Sequence, residues 1–159
     1  MSKKHVLSVL VTDQPGVLQR VASLFSRRNF NIDSITVGST EKPGFSRMVI
    51  TTIGDEQTIE QVKKQLAKLV NVIEVVDLTA NPMVARSLAL IKVKAEPERR
   101  PEILGLVDTF RASVVDISPE NMIIQAVGNE EKIEAIIELL RPYGVVEITH
   151  TGITAMLRG

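Results

Sequence analysis

The chain has 159 residues, 44% hydrophobic and 24% charged, with 19 basic and 19 acidic side chains that leave no net charge. Neutrality excludes the strong general attraction to nucleic acid or anionic membrane that a basic chain has. The absence of cysteine excludes disulfides and thiolate metal sites, and His5 and His150, near opposite ends of the chain, have no metal-ligand spacing.

Met-Ser-Lys-Lys-His leads into alternating strand sequence without the apolar core of a signal peptide, and no apolar run approaches the ~18 residues of a membrane span. These features point to a cytoplasmic protein, or a mature organellar one. Val6 to Thr12 is aliphatic and β-branched and predicts a strand buried on both faces. Asp13-Gln14-Pro15-Gly16 ends it. Val17, Leu18, Val21, Ala22, Leu24 and Phe25 then recur at helical spacing while Gln19, Arg20, Ser23 and Arg27 face away, and Asn29-Phe30-Asn31 closes the helix. Ile32 to Thr40 predicts a second strand, with Ile35 and Val37 on one face and Thr36 on the other. The turn Glu41-Lys42-Pro43-Gly44 joins it to a third, Phe45 to Ile53. Asp55 is placed to cap a second helix with the apolar stripe Ile59, Val62, Leu66 and Leu69. Val72 to Leu78 completes β-α-β-β-α-β, the ferredoxin-like order.

Thr79-Ala80-Asn81-Pro82 reads as a linker, after which the order repeats. Strands are predicted at Ser87 to Ala95, Ser113 to Ser118, Met122 to Val127 and Val145 to His150. Helices lie between, the first with Ile103, Leu104, Val107 and Phe110 inward, the second with Ile133, Ile136, Ile137 and Leu140 inward. The fold class is α+β, two ferredoxin-like βαββαβ domains spanning 1–79 and 80–159. Domains this small are marginal alone and open sheets expose edges, so a dimer through at least one sheet edge is expected.

One turn carries chemistry. Pro15 suits the first turn of a helix, Asp13 is able to accept from free N–H groups there, and Gly16 admits a close backbone or ligand. This is either an anion site at a helix N-terminus, fit for an amino-acid carboxylate, or a capped turn with no ligand. Asn31 is either a ligand contact or a turn residue, and Thr36 alone is strand filling. Arg47 is either an ion pair across a subunit interface or a charge on an exposed strand face. No nucleophile elbow, phosphate loop or paired-carboxylate motif is present.

With Asp13-x-Pro15-Gly16-x-Leu18 after a strand, the first half resembles an ACT domain, an amino-acid-sensing module. Leu24-Phe25-Ser26-Arg27-Arg28, Asn29-Phe30-Asn31-Ile32, Ser34-Ile35-Thr36-Val37 and Ser46-Arg47-Met48 narrow the likeness. With Arg86-Ser87-Leu88-Ala89-Leu90-Ile91-Lys92-Val93 and Phe110-Arg111-Ala112 in the second half, the whole chain resembles the small regulatory subunits of acetolactate synthase. The resemblance implies a non-catalytic chain without cofactor. Thiamine diphosphate, a divalent metal and FAD belong to a separate catalytic subunit, which condenses two pyruvates, or pyruvate with 2-ketobutyrate. The small subunit raises that activity and confers feedback inhibition, usually by valine. ACT domains pair as a homodimer with the effector between them. Carried over, Asp13, Gly16, Val17 and Leu18 of one protomer and Asn31 and Ile32 of the other would hold a branched-chain amino acid, with Thr36 nearby.

Asp13 departs from the many relatives that carry Asn. A carboxylate there either receives the effector's ammonium or weakens binding of its carboxylate. Two other classes compete: a stand-alone ACT-type amino-acid-binding regulator of another enzyme or transporter, and an RNA-binding ferredoxin-like protein. Neutral charge and four Phe, one Tyr and no Trp count against the last.

Overall fold

The computed structural model describes residues 3–159. The chain divides into two compact units, one running up to Val84 and taking in Gly152–Gly159, the other Ala85–Thr151. Each has the ferredoxin-like order.

In the first unit, β1 (Lys3–Thr12), α1 (Val17–Arg27), β2 (Asn31–Ser39), β3 (Phe45–Gly54), α2 (Glu56–Ala67) and β4 (Val72–Asp77) follow in sequence. The antiparallel sheet has the order β2-β3-β1-β4, which leaves β2 and β4 as its edges. Strand alternation puts Leu7, Val9, Val11, Met48 and Ile50 on the helical face. There they meet Val17, Val21, Leu24 and Phe25 of α1 and Ile59, Val62 and Leu66 of α2. Val6 and Leu10 on the opposite face are also buried, as the unbroken aliphatic run of β1 predicts. Asn29 ends α1 with φ 56, and the Phe30 N–H bonds back to Phe25 O at 2.9 Å.

Leu18 and Ala22, part of the predicted apolar series, are exposed. They lie a further 100° round α1 from Val17 and Val21, beyond the buried stripe.

In the second unit, β5 (Met83–Lys94) is followed by α3 (Arg100–Thr109), β6 (Ser113–Ile117), β7 (Asn121–Gly128), α4 (Glu130–Leu140) and β8 (Val145–His150). The order β6-β7-β5-β8 mirrors the first sheet. Ile91, Val93, Met122 and Ile124 pack against Ile103 and Val107 of α3 and Ile133, Ile136 and Leu140 of α4. Leu104, expected inward, is 42% exposed. Ile103 and Val107, one turn apart, define the buried stripe, and Leu104 is rotated 100° from it. A last strand, β9 (Thr154–Leu157), was not foreseen and pairs with β5, the strand in which the chain passes between the units. The Arg158 N–H donates to Pro82 O at 3.1 Å.

Asp55 caps α2 as its position predicts, accepting from the Thr58 N–H at 2.7 Å. That backbone bond, joined by the Thr58 hydroxyl, holds the Asp55 carboxyl below the ordinary value of 3.8. A lowered folded-state pKa means the cap stabilises α2 above the unfolded value and is lost as pH falls through the folded one. Amide exchange at Thr58 should therefore rise on acidification below about 3.8 beyond the intrinsic trend. In Asp55→Asn, whose amide caps without titrating, the excess should vanish.

Candidate functional site

The turn from β1 into α1 is built by backbone. Asp13 N–H bonds to Gly44 O at 2.8 Å, Gln14 N–H to Thr12 O at 2.9 Å, and Arg20 N–H to Gly16 O at 3.0 Å. Gly16 takes φ 84, ψ 0, a left-handed conformation that glycine adopts without penalty. This lets the chain pass from strand to helix in four residues.

Asp13 does not cap the helix. No side chain bonds to the first turn of α1 and no acidic residue sits in it. The sequence allowed Asp13 that role, but its backbone is fixed to Gly44 and its side chain is exposed. The helix start is left with N–H groups free of any side-chain acceptor, an arrangement suited to a carboxylate. Arg20 adds a cation. A Cβ built on Gly16 would lie 4.0 Å from Arg20 Nη2, so the guanidinium stands beside the turn. Its Nη1 donates to Asn71 Oδ1, and Asn71 Nδ2 donates to Thr12 Oγ1 at 2.9 Å. The sequence reading placed Arg20 on the solvent face and missed this triad. Its only linear signal is Arg20 standing one helical turn after Gly16.

The other expected contacts are separated along the same strand. Val17 is 4% exposed with its side chain in the core, whereas Leu18 is 47% exposed. Asn31 begins β2 opposite Ile53, which pairs with Lys4 at the start of β1. Ser39 ends β2 opposite Ser46, beside Val11 and the turn. The 9 residues of β2, at about 3.3 Å each, span roughly 25 Å, and Asn31 and Gly16 lie at opposite ends of the sheet. Ile32, next to Asn31, packs half-buried on the core. Thr36 lies on the face away from the helices, opposite Val49, and its hydroxyl is enclosed without a hydrogen-bond partner. A single copy thus brings Asp13, Gly16 and Leu18 together and leaves Asn31 and Ile32 far from them.

Arg47 is half-buried on that same face. It donates to Ser8 Oγ at 3.2 Å and lies 3.8 Å from Glu41, so it has partners within its own chain. Among the described residues there is no cluster of three or more His, Asp or Glu able to hold a metal, and no helix is long and apolar enough to cross a membrane.

Comparison with known proteins agrees with this architecture. Residues 7–74 match the family profile described as an AHAS small subunit-like ACT domain, and residues 86–159 match the small subunit of acetolactate synthase. A probable acetolactate synthase small subunit of Archaeoglobus fulgidus is 51% identical over 156 residues, 98% of each chain. The acetolactate synthase small subunit of Bacillus subtilis is 47% identical over 157 residues, 98% of this chain and 91% of that one. The crystal structure of the Thermotoga maritima small subunit superposes with a TM-score of 0.92 at 49% identity, covering 99% of this chain and 98% of that one.

Gly16→Ala should cost about 1–2 kcal/mol of first-unit stability, because an L side chain pays that much in the left-handed region. Space is not the obstacle, since the nearest atom to the new Cβ is 4.0 Å away. Denaturant unfolding followed by probes in each unit should show the loss in the first unit alone.

Proposed function

This chain belongs to the family of acetolactate synthase small subunits, and from that premise we propose that it activates a separate catalytic chain and makes it sensitive to a branched-chain amino acid, with L-valine the first candidate. The sensing domain is residues 1–79, and 80–159 is the C-terminal ferredoxin-like domain of the small subunit. The chain itself is non-catalytic. Thiamine diphosphate, the divalent metal and FAD act in the partner, within the cytoplasm.

The observation that carries the site is the separation of its halves along β2. Two copies related by a twofold axis and joined through their β2 edges in antiparallel fashion reverse that separation. The Asn31 end of one copy then comes beside the turn of the other. The effector carboxylate is received by the uncapped start of α1, at Gly16, Val17 and Leu18, with Arg20 alongside. Ile32 of the partner copy and Leu18 enclose the aliphatic side chain, and the partner's Asn31 bonds a polar end. Thr36 supports this strand from behind. Asp13, exposed at the rim, lies on the side of the ammonium group. One methylene in an apolar pocket is worth only about 1–3 kcal/mol, so leucine and isoleucine bind within a few hundredfold of valine.

An effector that bridges two copies acts on the enzyme only through its different affinity for two dimer arrangements. Mixing this chain with its catalytic subunit should raise acetolactate formation, and L-valine should lower it again. Amino-acid binding with no effect on the catalytic chain would favour a stand-alone regulator of another protein.

The two-copy pocket makes a sharper prediction. Asn31→Ala should weaken L-valine by about tenfold or more, the worth of a hydrogen bond to a charged group. Gly16→Glu, which sets a carboxylate where the effector's own would lie, should abolish binding. Mixing these two variants and letting them exchange subunits should recover valine sites of wild-type affinity by calorimetry, because each mixed dimer has one pocket with both halves intact. No recovery in mixed dimers would place both halves in one chain.

A further inference from the structure

We propose that Gly152 is a positioning residue for the effector strand, and that residues 152–159 are a strap that sets where β2 lies. The inference rests on the reading of β2 as half of the effector pocket.

Gly152 sits against the back of β2. A Cβ built there would meet Thr36 Oγ1 at 2.6 Å, Ser34 Cβ at 3.1 Å and Ser34 Oγ at 3.2 Å. The first of these is closer than any real Cβ contact, so only glycine fits without displacement. The need is for space, not for a left-handed backbone. The strap is fastened beyond this point, within the first unit: Ala155 is buried and Arg158 N–H holds Pro82 O at 3.1 Å.

The strand beneath is less constrained. Within its own copy β2 is an edge strand with β3 as its one neighbour, and its register slips between Ile32 and Ser34. Ser34 is pinned by its hydrogen bond to Thr51. Thr36 is not, for its hydroxyl is enclosed and unpartnered. Gly152 packs on a Thr36 side chain that no hydrogen bond to the protein holds in place. A side chain at 152 therefore presses on Thr36 and Ser34 of β2. Ile32 and Asn31, the effector half-site, lie on the same strand and move with it.

The test uses the full chain with Gly152→Ala, Thr36→Ala and the double variant T36A/G152A. L-valine affinity is measured by calorimetry and amide exchange is followed along β2. G152A should weaken L-valine about tenfold, and in the T36A background, where the atom nearest the new Cβ is gone, the same change should cost no more than about twofold. Amide exchange at Ser34–Thr36 without valine should accelerate in G152A and return towards the T36A rate in the double variant. A general loss of folding would not be confined to β2 or relieved by T36A. Equal losses in both backgrounds, or unchanged exchange along β2 in G152A, would overturn the strap. If the wild-type chain binds no valine while G152A still loosens β2, the strap stands and the effector reading falls.

Discussion

The register of β2 against β3, from Asn31 opposite Ile53 to Ser39 opposite Ser46, determines what the first unit is able to do. It sets one polar group at one end of an edge strand and an open helix N-terminus at the other. Side chains reach a few ångströms, and the strand spans tens. In the proposed pocket an effector the size of an amino acid meets both ends at once, which makes that pocket a property of a pair of copies. The free backbone edge of β2 is the means of pairing in this proposal, since an unpaired edge is a template for another strand. On that proposal the same row of hydrogen-bonding groups serves assembly and, through it, ligand recognition.

Electrostatics at the turn follow from what is absent as much as from what is present. The first turn of α1 has no side-chain cap and no acidic residue, whereas α2 and α4 are capped by Asp55 and Asn129. α3 also starts without a side-chain cap but carries Glu102 in its first turn, so of the four α-helices among the described residues only α1, at the candidate site, has neither. Leaving a cap unmade costs typically about 1 kcal/mol, a cost that the carboxylate of the proposed effector offsets. Arg20, held by Asn71 and Thr12, aims a second favourable charge at the same place. Asp13 enters this picture at the rim, tied by its backbone to Gly44, where a carboxylate meets an ammonium more readily than it obstructs the helix start.

Much of the architecture was legible in the sequence because its physical signals are strong. Aliphatic runs of period two, helical stripes such as Ile59-Val62-Leu66, and turn residues at Asp13–Gly16 and Glu41–Gly44 all pointed to one topology. Asp55 was placed as a cap and is one. What escaped was decided in three dimensions. Leu104 stands next to Ile103, and only the packing of α3 shows which of the two is inside. β9 has a four-residue sequence, Thr-Ala-Met-Leu, too short for periodicity to identify, and exists because β5 offers it a partner. Arg20 looked like one more charge on a solvent face until the fold set it beside Gly16. The reach between Asn31 and Gly16 is a matter of strand direction, which no local pattern encodes.

If the pocket is shared between copies, the effector must stabilise the dimer, since a ligand that binds only the assembled form draws the equilibrium towards it. Sedimentation equilibrium of the full chain across a range of concentrations, with and without saturating L-valine, measures this directly. The account predicts a dimer dissociation constant lowered by about tenfold or more in L-valine. Valine binding with the same affinity to monomer and dimer, and so an unchanged dissociation constant, would contradict it.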